Sequence, residues 1–105
     1  MIRRLSSIAC VALLLVLSFR VDAQHSVRPK NGFVPDERTA IAITEAVLIP
    51  IYGEEQIKSE RPFKATLKGG IWHIEGYLSE GSLGGVAKVR ISKADARIIH
   101  VTHGQ

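Results

Sequence analysis

The stretch FKATLKGGIWHIEGYL, residues 63–78, decides the fold. Phe63, Ala65 and Leu67 alternate with Lys64, Thr66 and Lys68, the period of two that marks a half-buried strand. Gly69-Gly70 then supplies two residues free to take positive φ, the requirement of a tight hairpin turn. On the return strand Trp72, Ile74 and Leu78 share one side, while Ile71, His73, Glu75 and Tyr77 share the other. The reading is an antiparallel hairpin with an apolar face that needs a cover.

Working outward, residues 86–91 repeat the alternation. Ala87, Val89 and Ile91 lie against Lys88 and Arg90, the turn SKADA follows, and RIIHVTH forms a fourth strand. Upstream, VPDERTAIAITEAVLIPIYG changes the period to that of a helix. Pro35 suits a first turn, Asp36 and Glu37 complement the helix N-terminus, and Ala40, Ile43, Thr44, Val47, Leu48 and Ile51 fall on one face. Arg38, Glu45 and Ile49 fall on the opposite face. Pro50 should kink or end this helix, and Gly53 is a natural stop. EEQIKSERP reads as a polar link. The expectation is an α+β domain, an amphipathic helix laid across one face of a curved antiparallel sheet of about four strands.

The first residues belong to a different class of segment. Arg3 and Arg4 precede an apolar run over residues 8–19, followed by Val21-Asp22-Ala23. A charged start, a short apolar stretch and small residues before a cut describe a secretory signal peptide cleaved between Ala23 and Gln24, with a retained N-terminal anchor as the alternative. The run is too short to span a bilayer, so contact with the membrane is expected only before cleavage. Residues 24–33, QHSVRPKNGF, read as a flexible leader and residues 34–105 as the single domain. Export implies a periplasmic or secreted protein. The lone Cys10 leaves with the signal peptide, so packing alone must hold the fold. Net charge is +4 for the whole chain; removing Arg3, Arg4, Arg20 and Asp22 leaves eleven basic and nine acidic residues, interspersed. No basic block supports nucleic-acid binding.

Three kinds of chemistry were weighed on the motifs. EGYLSEGSLGGVAKVRI, residues 75–91, is rich in glycine, but it lies between strands. A phosphate loop needs a following helix to aim N–H groups at the anion. Gly81 therefore shapes a loop, Gly84-Gly85 starts a strand with a bulge or lets another backbone come close, and Leu83 is exposed between the glycines. His25, His73, His100 and His103 come without HExxH spacing or cysteine, so no metal and no cofactor are expected. Ser79 and Ser82 sit in no GxSxG element and have no acid placed to orient a histidine, so the chain is read as non-enzymatic. Phe63 and Trp72 are assigned to the core and Tyr77 to the opposite side. An exposed edge strand could pair two copies.

The segments VPDERTAIAITEAVLIPIYGEEQI, RPFKATLKGGIWHIEGYL and GSLGGVAKVRISKADARI, with the closing THG, resemble a family of bacterial immunity proteins of nuclear-transport-factor-2-like (cystatin-like) fold, associated with polymorphic toxin systems. PIYG at residues 50–53, the Trp72 to Gly76 element W-x-[IV]-x-G, and LGGVA at residues 83–87 carry the likeness most specifically. Ala96 departs from it, because the family usually has glycine after the aspartate of that turn. The resemblance implies an exported protein that binds a cognate toxin without chemistry of its own. Its contact surface is then expected on the sheet face opposite the helix and on the Leu83-Gly84-Gly85 loop, with His73, Tyr77 and His103 as further candidates. The competing expectation is a periplasmic peptide- or small-ligand-binding module of the cell envelope, similar to small domains found with secreted peptidases.

Overall fold

The computed structural model describes residues 25–104, so the signal segment and the expected cut between Ala23 and Gln24 lie outside the described residues. The first helix, α1, covers Glu37–Tyr52. Asp36 caps it, its Oδ1 accepting the Thr39 N–H at 2.8 Å and satisfying one of the otherwise unpaired first-turn donors. Pro35 consequently precedes the cap instead of sitting in the first turn. Ala40, Thr44 and Leu48, four residues apart, are fully buried.

The end of α1 departs from expectation. The helix runs through Pro50 to Tyr52, because a proline this near the C-terminus removes only one N–H of the last turn. Gly53, at φ +93°, stops it and donates its N–H to the Ile49 carbonyl at 2.8 Å. The residues expected to be a link then form a second helix, α2, Glu54–Ser59, whose Ile57 is fully buried. Because α2 folds back here, Ile49 packs on the core while Ile51 is 56% exposed, the reverse of their helical-wheel assignment.

Four antiparallel strands follow in spatial order β1-β2-β3-β4: β1 Lys64–Lys68, β2 Ile71–Glu75, β3 Ala87–Ser92 and β4 Ile98–His103. Lys68 pairs with Ile71 across Gly69-Gly70, and both glycines have positive φ, the geometry of a two-residue type I′ turn. Phe63, Ala65, Trp72, Ile74, Ala87, Val89 and Ile91 project to the helix side and join Leu48 and Ile57 in one core. Leu67 (42% exposed) and Leu78 (44%) do not, because β1 is an edge strand and β2 ends at Glu75, before Leu78. Tyr77 likewise lies beyond the strand, so its expected place on the sheet face is replaced by one on the following loop.

The leader ends tied down. Phe33 and Val34 donate their N–H groups to the carbonyls of Ala94 and Lys93 in the β3–β4 turn, at 3.1 and 3.0 Å. Val34 is fully buried, and its carbonyl accepts the indole N–H of Trp72 at 2.8 Å. A buried indole needs such a partner. Here the partner comes from a segment 38 residues away in sequence.

Candidate functional site: the open face of the sheet

α1 covers one face of the sheet with α2 packed beside it, and strand alternation puts every second residue on the other. The register aligns these in rows. Thr66, His73, Arg90 and His100 form one row; Lys64, Glu75, Lys88 and Thr102 form the next. The rows line a depression of about 400 Å³ that also reaches Lys68. A register shift between Arg90 and Ile91 places Ile98 opposite Ile91 and leaves Ile99 as the extra residue. This bulge sets the parity of β4, turning His100 and Thr102 to the open face and Val101 and His103 to the helix side.

His103 therefore does not join His73. Its Nε2 lies 3.0 Å from Glu60 Oε2, and its ring is 5.1 Å from that of Tyr52. Glu60 is 3% exposed. Its Oε1 accepts the Ala87 N–H at 2.6 Å, and its Oε2 accepts from Gln56 Nε2 at 3.0 Å. Burial pushes the carboxyl up, but the bonds from Ala87, Gln56 and His103 outweigh that together and hold it below the usual glutamate range. The Glu60 carbonyl also accepts the Tyr77 N–H at 2.7 Å. One side chain and its backbone thus join α2, the end of β2, the start of β3 and the end of β4. Gly76 completes the joint: a Cβ there would come within 2.6 Å of Glu60 Oε1.

The remaining candidates lie in the β2–β3 loop. Leu83 is 99% exposed, Tyr77 is 52% exposed, and Gly84 has φ +104°. Gly85 is half-buried at the foot of β3. The loop leads into a strand, as its sequence context implied. The Ser82 N–H bonds to the Ser79 carbonyl at 3.0 Å, and among the described residues no hydrogen bond joins either hydroxyl to a histidine. Among the described residues no group of three or more His, Cys, Asp or Glu could hold a metal ion, and no helix is long and apolar enough to cross a membrane.

Sequence reasoning reached the open face through His73 but passed over Lys88, Arg90 and His100. The signal was present in the alternation of residues 86–91, where cations occupy the positions opposite the apolar ones. Glu60 had no such signal. It stands in a run of polar residues, and its burial follows from where α2 meets β3.

Comparison with known proteins agrees with this architecture. The chain is 26% identical over 92 residues to the uncharacterized protein YhhH of Escherichia coli (strain K12), an alignment spanning 87% of this chain and 70% of the relative. No solved structure matches. The family model described as NTF2 fold immunity protein matches residues 39–105, from the first turn of α1 through all four strands. With a helix packed against a four-stranded open antiparallel sheet, and that match over most of its length, the chain belongs to the NTF2-fold immunity protein family.

Proposed function

We propose that this protein is exported and neutralises a cognate bacterial toxin by binding it directly, with no catalytic step of its own. Membership of an immunity family implies toxin neutralisation. The observation that carries direct binding is the asymmetry of the sheet. One face is consumed by the core, while the other presents polar and charged side chains in register on hydrogen-bonded strands. Rigid elements lose little conformational entropy when a partner docks. The one buried carboxylate among the described residues is saturated by three donors, which favours a structural role for it over proton transfer. Export rests on the apolar segment and small-residue site at residues 8–23 and suits a toxin acting outside the cytoplasm.

Growth protection tests this reading. Where a toxin gene neighbours this one, cells producing that toxin should survive when they carry the full chain. They should not survive when residues 2–23 are deleted. Failure of the full chain to protect would refute neutralisation, and full protection by the truncated form would refute action after export.

A further inference from the structure

The charges of this domain are sorted by face in a way that overall composition conceals. Residues 24–105 carry eleven cations and nine acids. Lys64, Lys68, Lys88 and Arg90 line the depression on the open face, against the single acid Glu75. The rest of the domain therefore holds seven cations and eight acids, and the basic excess belongs to one face. Along one row Lys64 and Lys88 flank Glu75, and along the other Arg90 stands between His73 and His100.

The ion pairs among the described residues are Lys58–Glu54, Arg61–Glu45 and His103–Glu60, and none includes a cation of the open face. Lys64 and Lys88 each stand opposite Glu75, and Arg90 stands between two imidazoles, so no two Lys or Arg side chains are direct cross-strand neighbours here. Four cations against one acid leave the depression with an excess of positive charge, whose field reaches outward. Such a surface is complementary to one rich in carboxylates.

Resting on the toxin-binding reading above, we infer that the open face is the docking surface for an acidic protein partner. Arg90 and Lys88 on the central strand β3 receive its carboxylates, and Lys64 and Lys68 form the rim. Arginine holds a carboxylate through two parallel N–H···O bonds, which fixes orientation as well as affinity. A nucleic acid fits less well. Among the described residues the face carries no Phe, Tyr or Trp on which a base could stack, since Trp72 and Phe63 are committed to the core, and Glu75 interrupts the basic path a phosphate backbone would follow. The exposed Leu83 loop is then peripheral to the contact.

The test is an NMR titration of the purified mature chain with poly-L-glutamate, with a single-stranded oligonucleotide of equal charge and with anionic phospholipid vesicles. Poly-L-glutamate should shift the amide signals of His73, Lys88, Arg90 and His100. K88E/R90E should weaken that binding by at least about tenfold, as expected for reversed contact charges, and L83S should leave it unchanged. K88Q/R90Q, which only neutralises the two positions, should give an intermediate loss and guards against misfolding of the reversed variant. Absence of binding, shifts confined to residues 77–86, or tighter binding of the oligonucleotide or vesicles would overturn the assignment. Growth protection is read separately: a chain that protects cells as K88E/R90E keeps the immunity reading and loses this one.

Discussion

Ala96 holds a position that suits another residue. Its φ of +64° lies in the left-handed region, held there by the Ala96 N–H bond to the Ser92 carbonyl and by Asp95 Oδ1 accepting the Arg97 N–H. A side chain in that region costs roughly 1–2 kcal/mol, while glycine brings back an entropic penalty of roughly 0.5–1 kcal/mol. The strain is the larger of the two. A96G should stabilise the domain by about 0.5–1 kcal/mol and raise the melting temperature by about 3–6 °C, a change a calorimetric scan will read directly. The turn closes on alanine for a local reason. Its neighbours supply the hydrogen bonds that impose the conformation.

At the level of elements, the segment before α1 matters more than its polar sequence suggests. Gly32 has φ +83°, and a Cβ there would lie 2.4 Å from the Lys93 carbonyl oxygen, which is backbone and cannot swing away. G32A combines backbone strain with that clash, so it should cost at least about 2 kcal/mol. Trp72 provides a specific readout, because its indole N–H bonds to Val34 two residues downstream. Undocking of residues 32–34 should shift Trp72 fluorescence to the red before global unfolding begins. An unchanged emission and melting curve in G32A would show that the segment contributes nothing to the domain.

For the whole molecule, the Glu60 joint predicts how stability responds to acid. Its carboxyl titrates below its ordinary value in the folded chain, so folding gains stability that is complete above the unfolded-state pKa near 4.5. That gain is lost as pH falls through the lower, folded-state value. Asp36 and Asp95 are lowered in the same sense, Asp36 by the Thr39 side chain and then its N–H, Asp95 by the Arg97 N–H. They remain in E60Q, so the difference between wild type and variant isolates Glu60. E60Q should unfold at lower urea than wild type at pH 7, and the gap should narrow as pH falls below about 4.5. A gap constant with pH would assign the loss to packing and remove the charge from the account.

Much of this was legible along the chain because its cause is local. The hairpin at Gly69-Gly70, the period of two in three strands and the stop at Gly53 each depend on neighbouring residues. The sequence by itself therefore determined the class of fold, the faces of β2 and β3, and the identity of the loop at residues 76–86 as a connection between strands. What needed the tertiary structure was every feature in which distant segments meet. The link became α2 because Ile57 found a core to enter, and Ile51 left the buried face because α2 covered Ile49 instead. Glu60 became a buried joint because Ala87, 27 residues on, brought it an N–H. His103 stands three residues after His100, so alternation alone puts the two on opposite faces, but the extra residue Ile99 decides which of them joins His73. The cations of β1 and β3 became a single surface only when pairing with β2 placed them in rows. Alternation assigns a residue to a side, but pairing of remote strands decides which residues share it.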